Sequence, residues 1–407
     1  MNNIVESLPE MKTGEDLISS LSVLPEYDES IRFENKSTRL IALSNLQQIY
    51  IPSEMTTEIY SKLYLSLLHS LQKKNTKTAT IQRNENYKAI KSQPYSGILG
   101  GSDSFTIIGK SGIGKSSAIS HSIKLIMENG IIETHLPYSK IIPCLVVQCP
   151  FDSSVKGLLL EILRKVDELI GSDYYKNAIK VRVTTDMLIG SVSQVAINHI
   201  GLLVVDEIQN VVNNKNGNGL IAMLTQLINN SGISICMVGT PESNIFFEQA
   251  MQLARRSLGL QYNSLAYDKY FHNFCSILFS YQYTKQKTEI TDAIINWLYA
   301  HSGGVISVVV SLIYDAQEIA ILSGQEKLNL QTLNEAYNKR LTMLHGFIKP
   351  PIKHNSTSKK TNNYNPPVQN NVKIDLSIAN IILKAKENNT DIIGFLKQNI
   401  IVEEVQI

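Results

Sequence analysis

The chain has 407 residues, of which 43% are hydrophobic and 18% charged, with a formal net charge of +2. This length leaves room for two or three domains with cores of their own, and the composition excludes collagen-like and low-complexity architectures. The near-neutral balance excludes a wholly basic nucleic-acid binder, so any contact with DNA must come from a local surface.

Residues 1–30 carry seven acidic residues and one lysine, with short apolar clusters such as Leu17, Leu21 and Leu24. They read as a loosely ordered arm, either a docking element or a tail without a role. Residues 31–95 look mostly helical. EIYSKLYLSLLHSLQ puts Ile59, Tyr60, Leu63 and Leu67 on one helical face, and a basic polar stretch from Lys73 to Lys91 follows. From 103 to 270 short apolar runs (Phe105–Ile108, Ile141–Val147, Leu202–Val205, Ile233–Val238) alternate with amphipathic stretches. That pattern predicts an α/β domain with a parallel sheet and helices on both faces. Residues 271–345 hold no convincing strand, and helical patterns broken at Gly303–Gly304 and Gly324 predict a separate all-helical domain. From Lys349 the chain turns rich in Asn, Lys and Pro, with four of the 12 prolines, as expected of a flexible linker. Beyond it, Ile378, Ile381, Ile382 and Ala385 share one helical face. Ile392, Phe395, Leu396 and Ile400 share another, after a possible cap at Asp391. These segments either fold on a partner or pack back on their own chain. The expected divisions are therefore an arm and docking region (1–50), an α/β nucleotide-binding domain with an N-terminal helical extension (51–270), a helical lid (271–348), a linker (349–373) and a C-terminal docking segment (374–407).

Cys144, Cys149, Cys236 and Cys275 form no Cys-x-x-Cys pair and no zinc-finger spacing with histidine. Buried, reduced thiols in a reducing cytoplasm are expected. The N-terminus lacks a charged-then-apolar signal pattern, the longest apolar runs fall short of a membrane span, and no membrane partner is expected.

The stretch TIIGKSGIGKSSAIS fits the phosphate-binding pattern G-x-x-x-x-G-K-[ST] at Gly109, Lys110, Ser111, Gly112, Ile113, Gly114, Lys115 and Ser116. An apolar strand precedes it and an amphipathic helix (Ala118, Ile119, Ile123, Ile126) follows. Glycines let successive backbone N–H groups turn toward phosphates, and the helix beginning near Lys115 adds its positive end, up to Ser117. Lys115 is expected on the β- and γ-phosphates of ATP, and the Ser116 hydroxyl on Mg²⁺. In LLVVDEIQN, four apolar residues deliver Asp206 to the end of a buried strand. There it would hold Mg²⁺ through water, with Glu207 next to it to orient and polarise an attacking water. Thr240, at the tip of ISICMVGTPES, either touches the γ-phosphate or attacking water or caps the following helix. Arg255 and Arg256, ending the helix of QLARRSLGL, suit a trans arginine finger that completes a neighbouring subunit's site, or else a solvated helix end. There is no Lys or Arg between Thr288 and Glu326, so closure of the lid cannot rely on a cation at its Gly303–Gly304 turn.

The order of these motifs resembles that of AAA+ ATPases, the ASCE class of P-loop NTPases. QCPFDSSVKGLLLEILRKVDELIGSDY, GLLVVDEIQNV, GTPES and HSGGVISVVVSLIYDAQ together resemble the TnsC family, AAA+ regulators of transposition in Tn-seven-like elements, including CRISPR-associated ones, with TniB and IstB as more distant relatives. The resemblance spans roughly Ile51 to Leu344. It implies a five-stranded parallel sheet with a C-terminal helical lid, and slow, switch-like ATP hydrolysis with Mg²⁺. It also implies homo-oligomeric rings or filaments around duplex DNA, in the bacterial cytoplasm at the nucleoid. The same resemblance implies a link from a target selector (TniQ- or TnsD-type) to transposase subunits (TnsA- and TnsB-type) through the C-terminal tail. It places DNA contacts between the second strand and the Asp-Glu strand, where Lys156, Lys165, Lys176, Lys180 and Arg182, with Thr184 or Thr185, are the candidates. Interleaved acidic residues leave open a solvated mixed-charge face. The alternatives are a helicase loader or replication initiator of the same fold and a non-hydrolysing ATP-binding scaffold; a metabolic kinase lacks an evident substrate-binding insertion.

Overall fold

The apolar runs in the middle of the chain are rich in β-branched residues and too short for helices, so they become strands buried on both faces. In a computed structural model describing residues 4–74, 104–133, 140–180, 184–211, 217–231, 233–244 and 259–342, they supply most of one sheet. Its strands are β1 (Phe105–Gly109), β2 (Ile132–Glu133), β3 (Lys140–Gln148), β4 (Ile200–Asp206), β5 (Ser234–Gly239) and β6 (Leu260–Tyr262), in the order β2-β3-β4-β5-β1-β6. The five strands β3, β4, β5, β1 and β6 run parallel. The two-residue β2 adds an antiparallel edge to β3, too short to leave a period-two pattern in the sequence. Because β5 lies between β1 and β4, the loops leaving these three strands open side by side at one edge of the sheet.

The helices preceding the lid are α1 (Gly14–Leu21), α2 (Lys36–Ala42), α3 (Asn45–Gln48), α4 (Glu54–Lys74), α5 (Lys115–Ile126), α6 (Val155–Ile170), α7 (Tyr174–Lys180), α8 (Thr185–His199) and α9 (Gly217–Ser231). Alternate strand residues divide the core. Leu202, Val204, Cys236 and Val238 meet α4 and α5 on one face, while Leu203, Val205, Ile235 and Met237 meet α6, α8 and α9 on the other. Ile59, Tyr60, Leu63 and Leu67 of α4 are all buried, as their spacing predicts. The four cysteines are free and buried, and burial pushes the thiols of Cys144, Cys149 and Cys275 up to about 12.

The N-terminal region departs from the expected loose arm. Leu17 and Leu21, one turn apart on α1, are each 2% exposed and pack with the α4 face. Further along, Tyr27 donates through its hydroxyl to Gln282 O at 2.6 Å, and Arg32 Nε donates to Thr284 O at 2.9 Å. Arg39 is 1% exposed and donates to Tyr283 O at 2.9 Å and, bidentately, to Glu326 Oε2 and Oε1 at 2.7 and 2.8 Å. A buried guanidinium persists only when paired in this way.

The lid consists of α10 (Lys269–Ser280), α11 (Asp292–Ser302), α12 (Ile306–Ser323) and α13 (Leu330–Arg340). Its helices share a core with Leu43, Leu46 and Ile49 from the N-terminal region. Among the described residues, α12 alone is long and apolar enough to cross a membrane by length and composition. Half of that window is buried, with Val309, Leu312, Ile313 and Ala316 inside the lid core. Gly304 closes the α11–α12 turn at φ +74°, where a Cβ would stand 2.2 Å from Leu265 O, so only glycine fits there.

Candidate nucleotide site

The loop from β1 to α5 is built on glycine. Gly112 and Gly114 have φ +80° and +96°, and a Cβ on Gly109 would stand 2.7 Å from Ile113 Cδ1 and 2.9 Å from Tyr262 O. A Cβ on Gly112 would stand 2.4 Å from Ser307 Oγ of the lid. These are the conformations that turn backbone N–H groups into one concavity ahead of a helix N-terminus. Lys115 Nζ donates to Gly109 O at 2.6 Å and Lys110 O at 2.8 Å, holding its ammonium over the loop. Burial pulls its pKa below the ordinary lysine value, against the opposing pull of Asp206, Glu207 and Glu242.

Asp206 arrives where the register predicts, at the end of β4. Its Oδ2 accepts from Ser116 Oγ at 3.1 Å, and its Oδ1 accepts from Glu207 N at 2.8 Å. Glu207 adopts φ +59°, the left-handed region that a non-glycine residue occupies at a cost of about 1–2 kcal/mol. Its exposed carboxylate accepts from Gln209 Nε2, while Gln209 Oε1 accepts from Thr240 N at 3.3 Å. Gln209 thus spans Glu207 and Thr240. Thr240 precedes a short 3₁₀ turn, but its side chain makes no capping bond to the turn's backbone. Instead its hydroxyl hydrogen-bonds the Glu242 carboxyl and, as the largest influence, holds it below the ordinary carboxylate range.

These groups line a cleft of about 570 Å³ whose other walls sequence reasoning missed. One is the N-terminal segment, with Tyr50, Ile51, Ser53, Met55 and Thr56; the other is the first half of α12. Tyr50 stacks on His121 of α5, with ring centroids 3.9 Å apart. Ser307 N donates to Gly112 O at 3.1 Å, joining lid to loop. Neither wall carries a motif, and the only available signal was the lid's lack of cations.

The residues present fit a nucleotide with Mg²⁺. The glycine concavity and Lys115 suit phosphate oxygens, and the Ser116 hydroxyl with the Asp206 carboxylate is a hard oxygen pair. No group of three or more metal-ligating side chains occurs among the described residues, so phosphate and water would complete the coordination, as Mg²⁺ usually requires.

The DNA candidates are not brought into the cleft. Lys156 and Lys165 lie on α6, Lys176 and Lys180 on α7, and Thr184 and Thr185 at the start of α8. Lys176 pairs with Asp173 at 2.7 Å, and Thr184 caps α8 by accepting from Met187 N at 3.4 Å. Arg182, Arg255, Arg256, most of the Lys73–Lys91 stretch, the linker and the C-terminal segment lie outside the described residues.

The sequence profile described as "Bacterial TniB protein" matches residues 101–261, a stretch that contains the phosphate loop, the Asp-Glu strand and Thr240. No curated protein sequence matches the chain. Among solved structures, the chain is similar to the Aeropyrum pernix ORC1 protein in complex with DNA, at 12% identity and a TM-score of 0.42 over 63% of this chain and 62% of that one. It is also similar to Drosophila ORC bound to DNA, at 13% identity and a TM-score of 0.45 over 85% and 72%. The chain thus spans less than two thirds of the first of these structures. At these values neither likeness bears on function. By its own strand order and phosphate loop, the chain is an α/β P-loop protein with a helical lid and, over residues 101–261, is similar to Bacterial TniB protein.

Proposed function

We propose that this protein is a Mg²⁺-dependent ATPase that acts as a slow switch, assembling as a ring or filament on duplex DNA to regulate transposition. The observation that carries the enzymatic part is the Ser116–Asp206 contact at 3.1 Å with Glu207 beside it. Two oxygens for a hard cation adjoin an exposed carboxylate, oriented by Gln209, that can act on water. Bound Mg²⁺ would neutralise charge on the β- and γ-phosphates. Lys115 and the loop N–H groups would hold the phosphates, while Glu207 orients a water and takes its proton as the oxygen attacks the γ-phosphorus; the bond from that phosphorus to the β–γ bridging oxygen breaks, and ADP leaves with inorganic phosphate as the second product. Gln209 and Thr240 fix that carboxylate's aim.

The match to Bacterial TniB protein over 101–261 supports the transposition reading. So does the resemblance of the motif set to TnsC-type regulators. On this reading Arg255 or Arg256 completes a neighbour's site, the lysines of α6 and α7 contact DNA phosphates, and the C-terminal segment engages the transposase. A target selector binds elsewhere on the assembly. Phosphate release with and without duplex DNA tests the proposal. Wild type should release phosphate and Glu207→Gln should lose most of that activity; no release by wild type, or an unimpaired variant, sinks the enzymatic reading.

A further inference from the structure

Helix α12 carries no cation, yet it presents a carboxylate to the nucleotide cleft. Ile306, Ser307, Val310, Ser311, Tyr314 and Asp315 share its cleft-lining face, at the spacing of successive helical turns. The two ends of this face meet different parts of the cleft. Ser307 donates its N–H to Gly112 O and so stands at the phosphate loop. Asp315 follows eight residues later, about 12 Å along the helix axis, on the helix that packs against α2 and α3. Gln47 of α3 lines the same cleft.

Asp315 is partly buried, and its carboxylate makes no hydrogen bond or salt bridge with any described residue. Burial raises its pKa above the ordinary aspartate value, with Arg340 pulling the other way and Glu318 adding to the rise. Arg340 is itself engaged by Glu318 at 3.1 Å. A carboxylate partly withdrawn from water and lacking a hydrogen-bond donor is destabilised unless one meets it. On the reading of the cleft as a nucleotide site, phosphates at the glycine loop would leave this far end, lined by Gln47, Tyr314 and Asp315, for the base.

We propose that Asp315 accepts a hydrogen bond from the exocyclic amine of an adenine base, so that a lid carboxylate selects adenine nucleotides. This rests on the reading of the cleft as a nucleotide site. At C6 adenine offers an N–H donor where guanine offers a carbonyl oxygen, and an acceptor-only carboxylate placed at that position rejects the latter, whereas one placed at guanine's N1–H and amino group would favour guanine. Charge-assisted bonds of this kind suffice for about tenfold discrimination or more.

Calorimetric titration of the full chain with non-hydrolysable ATP and GTP analogues tests the assignment. Wild type should favour the adenine analogue. Asp315→Asn, whose amide can donate to the guanine carbonyl, should narrow the ratio about tenfold by gaining affinity for the guanine analogue. Asp315→Ala should narrow it by losing the adenine analogue alone. An unchanged ratio in both variants, or equal losses for both analogues as expected of a carboxylate holding the ribose, overturns the assignment and leaves the nucleotide site standing. Binding of neither analogue by wild type overturns both.

Discussion

Replacing Arg39 by alanine should destabilise the protein by about 3–5 kcal/mol, because it strands Glu326 with little solvent to replace its partner. The pair is bidentate at 2.7 and 2.8 Å, and the Glu326 side chain is only 14% exposed. Arg39 also satisfies Tyr283 O, which would lose a donor as well. Urea unfolding followed by the fluorescence of Trp297, the single tryptophan, reads the lid where Glu326 resides. The pH dependence has a definite sign. The hydrogen bond from Arg39, aided by Lys285 N, holds the Glu326 pKa below its ordinary 4.5. Its stabilisation is therefore complete above about pH 4.5 and lost as pH falls through the depressed folded value. The gap between wild type and Glu326→Gln should be flat near neutrality and close in acid. Since Glu326 has φ +53°, glutamine imposes the same backbone demand and isolates the charge. A loss below about 1 kcal/mol for Arg39→Ala, the scale of an exposed pair, or a gap that widens in acid, would refute the reasoning.

Lys115→Ala should abolish nucleotide-dependent binding to duplex DNA in a filter or mobility assay, and undiminished binding removes the gating model. Gly112→Ala forces a side chain onto φ +80° and to 2.4 Å from Ser307 Oγ. It should lower nucleotide affinity at least tenfold while the fold survives, as measured by calorimetry and circular dichroism; wild-type affinity would show that the lid yields freely there. Arg255→Ala combined with Arg256→Ala should reduce phosphate release in the assembled state while monomer nucleotide affinity stays unchanged. Weakened monomer binding argues against a role in trans.

The parts legible in the sequence were those whose physics is local. The phosphate loop needs glycine at set places, so Gly112 and Gly114 could be read directly. The Asp206 strand is apolar because both its faces are buried, and α4 shows its buried face through its period. The N-terminal region was misjudged because its anchors are distant. Arg39 and Glu326 lie 287 residues apart, and nothing near either one announces the other. Acidic residues around Leu17 and Leu21 suggested solvent, whereas two leucines one turn apart were enough to dock α1. Gln209 carries no sequence signal because its contact depends on Thr240 following the adjacent strand β5, a neighbourhood that only the order β4-β5-β1 supplies.

The bond from Ser307 N to Gly112 O has a consequence for control. The lid shares its core with the N-terminal segment and hydrogen-bonds the phosphate loop through backbone, so the three form one mechanical path that needs no lid cation at the phosphate loop. Linkage along such a path runs equally in both directions. A partner that gripped the N-terminal segment more tightly in one lid position would change nucleotide affinity by a factor. Nucleotide binding would change that partner's affinity by the same factor. A partner held by the N-terminal segment would thus both set and read the occupancy of the phosphate loop.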